Sequence, residues 1–405
     1  MSDGSARASA PDEAPESAPT ARSEGSAWLV SPRFDLGVFV APALGSLLLA
    51  CFGSRLADTD GRTPTWAWLL FVVGIDVAHV HGTTLRVYLT ARELLRRPAL
   101  YLGVPALALL VSSVAYAHAP QLFWRLLAYL AVFHFIRQQV GWARLYRKRA
   151  HERSLLDARL DEATLYVSML YPLLVWHARL PTDFEWFVPG DFVQWSDVLR
   201  DLAPASRWRA LPQQLASTAS ILWAGLLGSF CLRQLQLRHR GIPFRTGKLL
   251  LVATTASTWF CGIVLFANDF AFTVTNVVAH GVPYMAMSYR VTRSAPFTWG
   301  PLARSSLIYV CALLSLALAE EWLWDASVWH EHTAIFPAFR GLSAHALEQI
   351  LVPLLALPQI VHYILDAYLW RLDGSNPGLK HTLLVDRVDV GAGVGRSLVS
   401  RSSSS

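Results

Sequence analysis

The chain has 405 residues, of which 53% are hydrophobic and 16% charged, whereas a soluble domain carries about a quarter charged residues. That balance excludes an ordinary soluble domain and indicates a polytopic, all-α membrane protein. The net charge of +6 does not indicate a nucleic-acid partner: the arginines fall in short loops between apolar runs, where cytoplasmic retention of positive charge explains them.

Residues 1–30 are rich in Ser, Ala, Pro and Glu and contain no apolar run. They read as a disordered cytosolic tail and not as a signal peptide. A helix needs about 20 apolar residues to cross the hydrocarbon layer. On that measure a helical domain over 31–372 is expected to hold ten spans, near 36–54, 65–89, 100–118, 122–146, 160–177, 216–237, 247–266, 269–290, 303–321 and 345–370. The connections 55–64, 119–121 and 267–268 are short, so their flanking helices are expected as antiparallel hairpins. The connections 178–215 and 322–344 are aromatic and of mixed charge, as expected of caps lying at the outer interface. Residues 373–405 read as a second cytosolic tail. Cys51, Cys231, Cys261 and Cys311 lie in or beside apolar runs without CxxC spacing, so they are expected as small buried hydrophobes. No internal repeat is visible.

The connections after even-numbered helices are basic, as in RELLRRP and RKRAHERSLLDAR, and HAPQ and AND after odd-numbered ones are not. Both termini are therefore expected on the cytoplasmic side of a bacterial-type inner membrane.

The even helices also carry the unusual polar residues. The second reads GIDVAHVHGTTLRVYL, with Asp76 three residues before His79. The fourth reads FHFIRQQVGW, with His134 four before Gln138. The eighth reads TVTNVVAHGVPYMAMSYR, with Asn276 four before His280 and Tyr284 four after. The tenth reads LPQIVHYILDAYLWR, with Gln359, His362 and Asp366. Residues three or four apart share a helix face. His79, His134, His280 and His362 precede Arg86, Arg144, Arg290 and Arg371 by seven to ten residues, which is roughly 10–15 Å at the helical rise. All four basic ends are expected inside, so the histidines are expected in one layer of the bilayer's inner half.

A single histidine within a span is ordinarily a hydrogen-bonded packing residue. Four at one depth point to a shared site, since intramembrane ionisable groups are costly and usually functional. Imidazole with carboxylate suits Fe, Zn, Cu or Mn, and metal-bound histidines usually donate their second N–H to an acceptor. The expected ligands are His79, His134, His280 and His362. Asp76 and Asp366 are expected as ligands or orienters, Tyr284 and Arg137 as further catalytic groups, and Gln138, Asn276 and Gln359 as groups holding the cofactor. Arg137 is expected either to grip a carboxylate or an anionic head group, or to snorkel. His81 lies about 200° around the helix from His79, so it is expected in a second sphere or against a neighbour. His330 and His332, and also His118, His151, His177, His239 and His381, are expected in solvated positions.

GxxxxGK[ST], GxSxG, HExxH and the desaturase-type histidine boxes are absent. Nucleotide-driven chemistry and serine hydrolysis are thus poorly supported. The stretches GIDVAHVHGT, FHF, AHGVPY and VHYILD resemble the bacteriorhodopsin-related carotene dioxygenase family. Three longer stretches, DVAHVHGTTLRVYL, FHFIRQQ and HYILDAYLWR, are also similar to uncharacterised bacterial membrane proteins. The carotene dioxygenase resemblance implies a multi-pass helical protein whose dispersed histidines hold one non-haem iron. The expected function is a metal-dependent oxidoreductase, with iron the first choice, either mono- or dinuclear, and haem less favoured. It would act on a lipophilic isoprenoid, sterol or acyl chain in the bilayer, with a possible electron donor as partner. A proton-coupled transporter using a His/Asp relay and a lipid-group transferase are the competing expectations.

Overall fold

The computed structural model describes residues 26–53, 63–180, 186–194, 210–294, 305–337, 339, 345–376 and 379–384. The tail up to residue 25, much of the 178–215 connection, part of 322–344, the chain beyond 384 and the His381 side chain lie outside the described residues.

The described chain is all-α. Each of the ten stretches read as spans falls on a long helix. These are α1 Pro32–Phe52, α2 Thr65–Val87, α3 Pro98–His118, α4 Pro120–Arg149, α5 Leu155–Arg179, α6 Leu211–His239, α7 Thr246–Leu265, α8 Asp269–Ser294, α9 Ser306–Trp329 and α10 Leu347–Leu369. Among the described residues seven are long and apolar enough to cross a membrane, namely α1, α2, α3, α6, α7, α9 and α10. The others fall short of that apolarity because polar groups are concentrated in them, as in the Arg137-Gln138-Gln139 run of α4. Proline and a basic end mark several boundaries: Pro120 opens α4, and Arg147, Lys148 and Arg149 close it, where cations complement the helix dipole.

The helices sort by burial. Within its most apolar window α6 is only 6% buried and α3 17%, whereas α2 and α7 are each 56% buried. The outer helices expose large side chains such as Leu107, Leu110, Ile221 and Leu307, each more than half accessible. In water this would be an aggregation surface; facing lipid it carries no such penalty, because the exposed side chains are as apolar as the lipid tails. Cys51, Cys231 and Cys311 are exposed and Cys261 is half-buried, all of them free thiols. The expectation of buried cysteines is corrected here: three of them share this outer face.

Two features hold the inner helices close. A Cβ on Gly281 of α8 would lie 2.6 Å from Ile75 Cγ2 and 3.2 Å from the Ile75 carbonyl oxygen. One on Gly82 of α2 would lie 3.1 Å from the Tyr284 ring and 3.2 Å from Ser288 Oγ. Small residues of this kind let membrane helices approach backbone to backbone. α2 also changes its winding, π-helical over Trp68–Val77 and α-helical from Ala78 onwards. Such wide turns are rare and cluster at functional sites.

At one end of the bundle, buried Asp35 accepts from the Leu29 and Val30 amides at 2.6 and 3.1 Å and from the Tyr146 hydroxyl at 2.9 Å. Lys248 of α7, fully buried, donates to Glu152 at 2.6 Å and to Asp161 at 2.7 Å. These pairings satisfy buried charge between helices that would otherwise have to exclude it.

Candidate metal centre

His79 of α2, His134 of α4, His280 of α8 and His362 of α10 meet in the interior. Their exposures are 0%, 4%, 1% and 0%. The Nε2 atoms of His79 and His280 are 3.1 Å apart, and so are those of His134 and His362. Ring centroids close a four-sided figure. His79–His280 is 4.7 Å, His280–His134 5.0 Å, His134–His362 4.6 Å and His362–His79 4.9 Å, with a His79–His134 diagonal of 6.4 Å. Ligand atoms of His79, His134 and His280 all lie within 4.8 Å of one another.

The four helices run in the same direction, as matching offsets show. Four residues after the His79–His280 pair, Thr83 and Tyr284 hydroxyls meet at 2.9 Å. Eight residues after the His134–His362 pair, Trp142 and Trp370 meet edge to face at 5.3 Å. Seven residues after His79 and His362, Arg86 donates to the Leu369 carbonyl at 2.9 Å. Only parallel helices in one register keep such pairs in step.

The groups around the rings are of two kinds. Thr83 Oγ1 lies 2.9 Å from His362 Nδ1 as well as from the Tyr284 hydroxyl. Asp366 Oδ2 is 3.9 Å from His134 Nδ1, and its Oδ1 accepts from Trp370 Nε1 at 2.7 Å. Asp76 Oδ1 is 3.6 Å from His79 Nδ1, beyond a true hydrogen bond. Gln138 Nε2 donates to the His280 carbonyl at 2.9 Å, and Phe135 stacks on the His280 ring at 3.6 Å. His280 Nδ1 and Gln138 Oε1 are buried without a hydrogen-bond partner.

Two cavities flank the rings. The first, about 540 Å³, is lined by residues one turn before the histidines, Asp76, Asn276 and Gln359, and by Asp269, Glu321 and Glu331. The second, about 370 Å³, reaches His134 itself, Gln138 and Asp366, with Tyr363 beside them. They are called the acidic and the basic cavity below, after the side chains at their walls.

The expected site residues thus divide. Tyr284 and Asp366 stand against the rings, Gln138 touches the backbone of His280, and Asp76, Asn276 and Gln359 line the acidic cavity. Arg137 does not reach the rings: it is exposed, donates to the Tyr166 hydroxyl at 2.7 Å and lines the basic cavity. His81 turns away, as its helical angle requires, and pairs with Glu320 of α9 at 3.1 Å. His332 is not simply solvated, for it stacks on Trp68 at 3.6 Å. His177 is likewise engaged, 2.8 Å from the Tyr129 hydroxyl and 2.7 Å from the Leu173 carbonyl. Thr83, Glu320 and Phe135 were not legible as site groups. Thr83 had a signal, its position four residues after His79 on one face. Glu320, in the EEW of an apolar helix, had one too. Phe135 had none.

A bound ion would need M–N distances of about 2.0–2.1 Å, which puts ligand nitrogens ~3.3 Å apart in a tetrahedral set, or ~2.9 Å (adjacent) and ~4.1 Å (opposed) in a square-planar one. The separations of 3.1 Å and the 4.8 Å limit fit that requirement with small ring rotations. Converging imidazole nitrogens are also the donor set that transition metals prefer. The chain matches no protein-family profile, no curated protein and no solved structure. The class that fold and site define is a helical, candidate multi-pass membrane protein with a buried histidine group able to hold a metal ion.

Proposed function

We propose that the protein is an integral membrane metalloenzyme, a non-haem iron oxidoreductase acting on a lipophilic substrate. The observation that carries this reading is the convergence of four fully buried imidazoles from four separate helices. Their Nε2 atoms face one another in pairs at 3.1 Å, close enough for one cation to be shared among them. Thr83 Oγ1 lies 2.9 Å from His362 Nδ1, and a proton held there leaves that ring's Nε2 free to ligate. Asp366 and Asp76 stand on the Nδ1 side of His134 and His79 at 3.9 and 3.6 Å, beyond hydrogen-bond reach. A bound iron would supply one-electron chemistry with O₂. The residues of the chain do the rest: Thr83 orients the His362 ring, Asp366 places a carboxylate near His134, Phe135 covers one ring face, and the apolar helices exclude water.

All ten long helices are proposed to cross the bilayer with both termini inside. Parallel alignment of α2, α4, α8 and α10 supports this, because an odd number of crossings must then separate each from the next. Elemental analysis of the purified protein, with an optical spectrum, is the test. Stoichiometric iron without a Soret band is expected; no transition metal after reconstitution sinks the proposal.

A second reading, a proton-coupled carrier, draws on the cavities on either side of the rings with Asp76 in one and Asp366 in the other. It requires pH-driven uptake by proteoliposomes of the metal-free protein.

A further inference from the structure

The walls of the two cavities differ in charge. The acidic cavity presents Asp76, Asp269, Glu321 and Glu331, with no Lys or Arg among its described lining residues. The basic cavity lies between the C-terminal halves of α4 and α10 and presents Arg137, Arg144, Lys148 and Arg371. Arg144 is already committed to Glu162, at 2.8 and 2.7 Å. The other three have no carboxylate at ion-pair distance among the described residues. Arg137 donates to the neutral Tyr166. Arg371 donates to the Ala367 carbonyl of its own helix and lies over the Tyr368 ring. Arg233 and Lys248, on other helices, are by contrast paired with carboxylates, Asp157 at 2.6 Å and Asp161 at 2.7 Å. A loop charge retained only for topology does not need to border a cavity.

Depth adds the second half of the argument. The cavity runs from His134 and Tyr363 to Lys148 and Leu372. Fourteen residues separate His134 from Lys148, roughly 21 Å of helix. Its wall is mixed: Trp142, Leu145, Trp370 and Leu372 are apolar, Arg137, Gln138 and Asp366 stand near the inner end, and Lys148 and Arg371 stand at the outer end. A slot with an apolar stretch leading from two uncompensated cations suits an anionic amphiphile.

We propose that the basic cavity binds a single-chain amphiphile with an anionic head, a carboxylate or a phosphate, held by Lys148 and Arg371 at the outer end with its chain directed to His134 and Asp366. This makes such amphiphiles the substrate class of the centre; the assignment as substrate rests on the metalloenzyme reading, whereas the binding does not. The chain end, not the head, is what the histidines meet.

The test uses full-length protein in nanodiscs of neutral phosphatidylcholine and radiolabelled dodecanoate, dodecyl phosphate and dodecanol. Both anions are expected to bind at least tenfold more tightly than the alcohol, and the tighter of the two names the head group. The double variant Lys148→Gln, Arg371→Gln is expected to lose at least tenfold in anion affinity and to keep its affinity for dodecanol. Equal binding of alcohol and anions, or unchanged anion binding in the variant, overturns the proposal. Should the variant not fold, the wild type decides: anion affinity must fall between 0.05 and 0.5 M NaCl (values set by the experimenter, on the order of a change from 14 to 4 Å in screening length) while dodecanol affinity holds. Cobalt loading is read separately, by a visible spectrum that dodecanoate is expected to perturb. Failure to bind cobalt removes the metal reading and leaves the binding result standing.

Discussion

Thr83 accounts for more of the centre than its size suggests. One hydroxyl bridges His362 Nδ1 and the Tyr284 hydroxyl, each at 2.9 Å, and so fixes a ring of α10 through a side chain of α2. Thr83→Val is nearly isosteric and leaves His362 Nδ1 buried without this partner, a cost of ~1–3 kcal/mol, read as a lowered thermal midpoint with Thr83→Ser as the rescue. Asp366→Asn keeps the Trp370 contact and removes the charge near His134. It is expected to weaken metal binding ~10–100-fold, measured by competition with a chromophoric chelator. Outside the spans, burial alone would raise the Glu93 carboxyl, but hydrogen bonds from Arg96 and Tyr101 and the Arg96 charge outweigh it and hold it below its ordinary value. Arg96 also bonds to the Ser375 carbonyl and to Asn376 Oδ1. A depressed carboxyl contributes stability above its unfolded pKa, about 4.3, and loses it as pH falls through the lowered folded value. Hydrogen exchange of residues 91–97 and 371–376 is expected to rise below about pH 4, and Glu93→Gln is expected to abolish that step. At this scale the histidines were legible, since an ionisable group in an apolar run stands out. Thr83 was overlooked because a threonine in a helix is ordinarily satisfied by its own backbone.

Helices α2 and α8 show what the elements add. His79 and His280 meet at 3.1 Å because Gly82 and Gly281 leave room for the opposing helix. Gly281→Val places carbon against both the Ile75 side chain and its carbonyl. Overpacking of this kind costs ~1–3 kcal/mol, and separation of the pair is expected to lower bound metal severalfold in elemental analysis, even where the variant still folds. Gly281→Ala, with two carbons fewer to place, is expected to retain more. Placement of the helices was legible from apolar run length, and every one of the ten stretches is helical. Their character was less so. Seven meet the apolarity of a span, whereas α4, α5 and α8 spend part of their length on polar groups that face protein. The π-helical turns of α2 have no sequence signature, because winding responds to packing on both sides of the helix.

For the whole molecule, alternate crossing and the basic connections predict which ends face the cytoplasm. In a background with the four native cysteines replaced, His118→Cys at the end of α3 is expected to react with an impermeant maleimide on intact cells, and Ser375→Cys only after lysis. The reverse pattern would turn the molecule over and with it the basic cavity. Metal removal is the second global test: a ligand that binds only the folded state stabilises it by about 2.7 kcal/mol at a hundredfold excess over Kd, so chelation is expected to lower the thermal midpoint by several degrees. Fold class and the shared depth of the histidines could be read from the sequence. Which helices touch could not, and neither could the two cavities, since both arise between segments some 200 residues apart, as for His79 and His280.

That separation bears on how the protein is made. His134 must wait for a partner 228 positions further along, so the centre cannot close until α10 has entered the bilayer. An ion captured there would act as a late clasp across helices inserted at quite different moments of synthesis. On the proposed metal-binding reading, a metal-starved cell would hold fully threaded but loosely gathered chains, exposed to membrane quality control.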